Sequence, residues 1–251
     1  MAGERVTWGA RTFSGVDRFG RWLVTGGMED WWGSPDVKGE VVDRPDADGE
    51  LDLPTYNQAR LLTLSGSLHT DSHEQMHEAQ AYFASPMFGR FTVAGHGPTL
   101  WADGKRNSGA KFLPVTDRFA QWQVRLKFTD PRKYGEARSW AASVGAPAAG
   151  VHHRGNYNAS PKITVLGTMP DGYTLTIMGQ VFTVTQPLWF ASPHSIDYAD
   201  GRLRINGAIV HGGLGWGFTP AVNPGVVTSL SIAPVTTGTA TATLTLLDTY
   251  I

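Results

Sequence analysis

The sequence predicts a mainly β protein. Its N-terminal part reads as a β-sandwich-like domain with one helix, and its C-terminal part as an antiparallel β-sandwich or jelly roll. Three observations predict this. Thirty glycines and fifteen prolines in 251 residues supply turns at high density. Two stretches, Gln121–Phe128 and Thr239–Leu246, alternate strictly between larger or apolar and polar residues, the period of a half-buried strand. Only one stretch, after Asp71, repeats apolar residues at helical spacing.

Composition narrows the function classes. Hydrophobic residues make up 41% and charged residues 17%, against about 25% charged in typical globular domains, so the chain buries a core. A formal net charge of −1 advertises no basic surface for nucleic acid. The absence of cysteine excludes disulfides, thiolate zinc sites and cysteine nucleophiles. The first residues lack a signal-peptide core and no apolar run approaches the ~20 residues of a membrane span, so a soluble protein made in a cytoplasm is expected. Asn158-Ala159-Ser160 is a glycosylation sequon in form only. Residues 1–140 hold 17 basic and 18 acidic residues, leaving four of each for the rest. This shift and the small residues that follow predict a domain over 1–140, a linker over 141–154 and a second domain over 155–251.

Arg5–Trp8 and Trp22–Thr25 are short β-like runs. Trp31-Trp32-Gly33-Ser34-Pro35 is an aromatic knot, read equally as a core anchor or as a contact surface, where tryptophan is enriched. Asp43–Asp52 is acidic, with a reversal at Asp48-Gly49. Arg60–Leu68 reads as a strand. A helix follows with Asp71 as N-cap and Glu74 at capping-box spacing. Met76, Ala79 and Phe83 share one side of it, and Ser85-Pro86 ends it. Phe91–Val93 resumes as strand. Thr99–Pro114 is a polar excursion, expected to form a long hairpin or arm, whose Lys105, Arg106 and Lys111 are within the chemistry of phosphate contact. In Gln121–Phe128 the residues Trp122, Val124, Leu126 and Phe128 face inward, and Asp130-Pro131 follows.

The second half is a succession of short strands at Lys162–Val165, Tyr173–Ile177, Val181–Val184, Ser195–Tyr198 and Arg202–Ile205. Asp200-Gly201 and Asn206-Gly207 mark hairpins. Gly212–Gly217 is glycine-rich, but no helix follows to cradle a phosphate, so it reads as a loop. His152-His153 lies in the expected linker without evident partners.

One motif invites chemistry. His73-Glu74-Gln75-Met76-His77 matches HExxH, in which two histidines one helical turn apart share zinc and the glutamate acts as base. A working site needs a third ligand and a supporting shell. No spaced third histidine follows, and His77 falls toward solvent on the helical wheel. The match reads as coincidental, so the sequence implies no metal, no cofactor and no enzyme. No Ser/His/Asp arrangement or marked carboxylate pair stands out either.

The order of these features resembles the distal tail (Dit-type) proteins of bacteriophages with long non-contractile tails. The resemblance rests on Asp48-Gly49, Arg60 leading its strand with Gly66, the single helix, the alternating strand and Asp130-Pro131-Arg132-Lys133-Tyr134. In the second half it rests on Gly155–Gly167, the Ile196 to Gly207 hairpin and Asn223-Pro224-Gly225 before Leu230-Ser231-Ile232. It implies a structural virion protein. The N-terminal domain would form a homohexameric ring around the DNA channel, and the C-terminal domain a galectin-like sandwich facing outward. The implied partners are copies of itself, the tail-tube protein above, the hub or tail-associated protein below, the tape-measure protein and DNA in transit, with no membrane. Trp31, Trp32, Trp101, Lys105 and Arg106 are the interface candidates. The competing reading is a carbohydrate-binding module using Trp189, Trp216 and Tyr198 to stack on cell-wall sugars.

Overall fold

The computed structural model describes residues 4–40, 42–44, 46, 48–51, 53–86, 88–214 and 220–251. They form two compact units, one running to Lys133 and taking in Ile251, the other Tyr134–Tyr250. The strand Lys133–Ser143 runs through Trp140, and Ala148–Val151 is a further strand. The small residues expected to form a linker therefore include strand residues. Ala142, Ala148 and Val151 are buried, and their size suits close packing rather than flexibility.

The first unit is built on a sheet in the order Gly15–Asp17, Gly20–Gly26, Arg60–His69, Phe119–Phe128, Lys111–Thr116. Phe119–Phe128 pairs along its whole length with Arg60–His69, with Val124 opposite Leu64. The alternation acts as the sequence predicts: Trp122, Val124, Leu126 and Phe128 are buried, each at 2% exposure or less. A second set, Arg5–Trp8, Phe88–Ala94 and Leu100–Arg106, pairs in that order. The expected arm over Thr99–Pro114 is instead two body strands, because Leu100 and Ala102 alternate into the core.

The helix spans His73–Ala84 and buries Met76, Ala79 and Phe83. Its N-cap is Ser72, one residue later than expected. Ser72 Oγ accepts from Gln75 N at 3.2 Å, while Gln75 Oε1 accepts from Asp71 N, the residue before the cap, at 2.9 Å, so glutamine rather than Glu74 reaches back, one residue beyond the usual box partner. Phe83 stacks on Trp22 at 6.0 Å and sits 5.8 Å from Trp122. A second, one-turn helix covers Glu29–Trp32. Gly66 faces this core: a Cβ there would lie 2.0 Å from Leu23 O and 2.4 Å from the Trp122 ring.

The second unit is a sandwich of two antiparallel sheets. One runs Ala208–Val210, Arg202–Ile205, His194–Asp197, Lys162–Thr168, Thr239–Tyr250. The other runs Ala148–Val151, Thr228–Pro234, Tyr173–Ile177, Gln180–Val184. Ile163, Val165, Ala242 and Leu244 from the first meet Tyr173, Leu175, Leu230 and Ile232 from the second in one core. Asn206 and Gly207 take φ of 49° and 83°, the mirror-image turn that matches strand twist.

Candidate functional site

The HExxH residues lie on the outer side of the helix. His73 meets Asp117 with Nδ1 and Oδ1 3.7 Å apart, their side chains 79% and 90% exposed. His73, His77, Gln80 and Asp117 line a shallow pocket of about 240 Å³, and Glu74 is exposed. Among the described residues no group of three or more histidine or acidic side chains is placed to hold a metal ion.

The aromatic knot divides into two roles. Trp31 is fully buried against Phe91 and Phe128, at 5.0 and 5.8 Å. It is a core residue and cannot reach a neighbour, which corrects its place among the interface candidates. Trp32 is 38% exposed, with its ring edge-on to His96 at 5.2 Å. Trp101 lies under the Arg90 guanidinium at 3.5 Å, and Arg106 donates to Ala84 O at 3.1 Å. Lys105 is exposed.

Below the knot sits a feature that the sequence did not mark, a pair of buried cations. Arg60 and Lys133 are 2% and 3% exposed. Arg60 donates to the carbonyl oxygens of Asp30, Gly33 and Pro131, and Lys133 Nζ donates to Trp31 O at 2.8 Å. The carbonyls of Asp30, Trp31 and Gly33 belong to the last turn and cap of the one-turn helix, whose C-terminus attracts positive charge. Burial lowers the pKa of Arg60, an effect opposed by Asp30. Burial, then repulsion by Arg60, pushes Lys133 down to about 8. Neither is flagged by its neighbours in the sequence: Arg60 opens an apolar strand and Lys133 follows Asp130-Pro131-Arg132.

Two surfaces of the first unit stand out. One is the face of the central sheet turned away from the core, where Ser65, Gln121 and Gln123 border a groove of about 510 Å³ with Lys111 and Leu113. At one end of this face Lys127 lies directly opposite Lys105 and Leu61. The other surface is an arm. Val37–Lys38 pairs only with Tyr56–Asn57, and pairing is found again nearer the tip, from Leu51 N to Val42 O at 2.8 Å and from Arg44 N to Gly49 O at 3.1 Å. The reversal expected at Asp48-Gly49 lies at its far end.

In the second unit His153 is buried and has partners, contrary to expectation. Its Nδ1 accepts from Gly155 N at 3.1 Å, so Nε2 carries the proton and donates to Val222 O at 3.0 Å. Desolvation lowers its pKa, opposed by the Val222 bond. Tyr198 is 2% exposed and belongs to the core, so it cannot stack on a sugar. Trp189 is 49% and Phe190 76% exposed. Trp216, with most of the glycine-rich stretch, lies outside the described residues.

No protein-family model and no curated protein sequence matches this chain. Solved structures do. The crystal structure of the SPP1 Dit (gp 19.1) protein matches with a TM-score of 0.73 over 99% of each chain, at 13% sequence identity. The chain has the fold of a Dit protein. That SPP1 protein is described as a paradigm of the hub adsorption apparatus in phages infecting Gram-positive hosts. A chain of the phage p2 baseplate in its activated conformation with strontium matches at a TM-score of 0.51 and 5% identity, over 96% of this chain and 97% of that one. At such identity the likeness to Dit lies in the backbone path, and no site residue is carried over from it.

Proposed function

We propose that this chain is a distal tail protein, a structural part of a phage virion located at the tail tip and assembled in the host cytoplasm. Six copies form the hub ring that joins the tail tube to the baseplate or tail-associated proteins and lets DNA pass. The observation that carries this reading is the match to the SPP1 Dit fold over 99% of both chains. Two features support it. A ring closes through a head-to-tail contact between unlike surfaces, and the central sheet ends in two different edge strands, Gly15–Asp17 and Lys111–Thr116. A formal charge of −1 suits a channel that passes DNA, since a strongly basic bore would hold it. In this role the protein works by packing and carries no reaction. Native mass measurement and imaging of the purified protein and of intact tails test the reading. Six-fold rings are expected, and a chain that stays monomeric even within tails would overturn it.

The exposed Trp189 and Phe190 favour one second reading, a carbohydrate-binding surface on the outer domain. A screen against host cell-wall glycans in which Trp189→Ala leaves binding unchanged, or in which nothing binds, discards it.

A further inference from the structure

We propose that the arm of one copy docks on the outer face of the central sheet of a second copy, held by opposite charge around apolar contacts. The inference rests on the self-assembly proposed above. It starts from the arm's lack of support. Every described residue from Asp36 to Leu51 is exposed, and Val37, Leu51 and Tyr56 are 65%, 45% and 65% exposed. A two-stranded hairpin alone is marginally stable in water, so this one needs a surface to lie on.

Charge says which surface. The described arm residues Asp36, Glu40, Asp43, Asp46, Asp48 and Glu50 face only Lys38 and Arg44 as local counter-charges. The outer sheet face has the opposite balance. Lys105, Lys111, Arg125 and Lys127 share it, and none forms an ion pair among the described residues. Lys105 and Lys127 are direct cross-strand partners, a like-charge pairing that costs stability until an anion covers it. Leu61, beside Lys127, and Leu113, beyond Lys111, are 54% and 62% exposed and flank these cations, offering apolar contact to Val37, Leu51 and Tyr56. Acidic side chains placed among the four cations would relieve their repulsion.

Geometry says whose face it is. The arm leaves the body at Gln58, two residues before Arg60, and Lys127 sits opposite Leu61. The basic patch thus begins at the root of its own arm. The arm's acids lie along a chain path of roughly 25 Å, at ~3.3 Å per residue, paired at its base and again near its tip. An arm that keeps this pairing carries them away from its own patch and toward a neighbour's.

The test uses the full chain. Asp43→Lys/Asp46→Lys/Glu50→Lys in one variant and Lys105→Glu/Arg125→Glu/Lys127→Glu in another are each expected to weaken self-association at least tenfold at low salt. Their equimolar mixture is expected to regain it. Circular dichroism confirms folding, since all six positions are at the surface. Because the chain has no cysteine, Asp48→Cys and Gln123→Cys copies mixed with a short bis-maleimide read the contact directly, as a cross-linked dimer absent from either copy alone. Either variant assembling like the parent, a mixture that stays apart, or no cross-link overturns the arm contact. Rings that form without arm dependence sink only this inference. A cross-linked pair without six-fold rings supports the arm contact and sinks the ring.

Discussion

Replacing Arg60 with methionine keeps the aliphatic stem and removes the buried cation. The consequence can be worked from its surroundings. Three backbone carbonyls, those of Asp30, Gly33 and Pro131, lose their donor. Hydrogen bonds from a charged donor contribute about 1.5–3 kcal/mol each, and orphaned buried acceptors cost a similar amount. Against this gross loss stand two gains. A desolvated guanidinium is no longer held away from water, and Lys133 is freed of its neighbour's repulsion. Three orphaned buried acceptors at about 1–3 kcal/mol each set the gross loss, and the gains bring the expectation to its lower end, at about 3 kcal/mol. The first unit should then melt roughly 10 °C lower. Six of the nine tryptophans precede Lys133, so tryptophan fluorescence in a urea titration follows that unit. A midpoint shift equivalent to less than about 0.5 kcal/mol would show that the guanidinium does not hold the one-turn helix in place.

The other expectations follow from single sites. Gly66→Ala must push both the Trp122 ring and the Leu23 carbonyl aside, and calorimetry should show a loss of at least about 1–3 kcal/mol. Trp31→Ala should cost about 3–5 kcal/mol, whereas Trp32→Ala should leave the melting temperature nearly unchanged; equal losses would refute the division of the pair. Lys133 titrates near 8 when folded and near 10.5 when unfolded, so the unfolded chain binds more protons between these values. Stability should therefore rise with pH from 8 to about 10, by up to ~3 kcal/mol at 1.36 kcal/mol per unit, and Lys133→Met should flatten that rise. Above pH 10 the buried Tyr173 and Tyr198, both raised by burial, ionise first in the unfolded chain and reverse the trend. His153 and His194 are lowered by burial. The unfolded chain protonates them near pH 6.5, so stability should fall as pH drops below that value, and less steeply in His194→Gln.

The contrast between elements that could be read from the sequence and those that could not has a physical pattern. The Gln121–Phe128 alternation, the Met76–Phe83 stripe and the Asn206-Gly207 turn each declare themselves within a few residues, because strand pleat, helical pitch and positive φ are local properties. The helix start slipped by one residue because Ser72 and Gln75 stand at the same spacing as Asp71 and Glu74. Thr99–Pro114 and the 141–154 stretch differ from the expectation for a shared reason. Their polar or small side chains look like loop, and only pairing with strands distant in sequence turns Leu100, Ala102, Ala142 and Val151 inward.

The site was less legible than the fold. Trp31 and Trp32 are chemically identical neighbours, and their separation into a core anchor and a half-exposed ring came from the turn of helix that holds them. The acidic run was visible, but that it stands clear of the body was not. Arg60 and Lys133 are 73 residues apart in the chain, and nothing local says that both end on the carbonyls of one helix turn. Residue spacing set the periods, the turns and the exclusion of disulfide and thiolate chemistry. Which charges are buried, which aromatics face out and which hairpin lacks support were decided by long-range strand pairing, since burial depends on every element that packs around a residue and not on its neighbours in the chain.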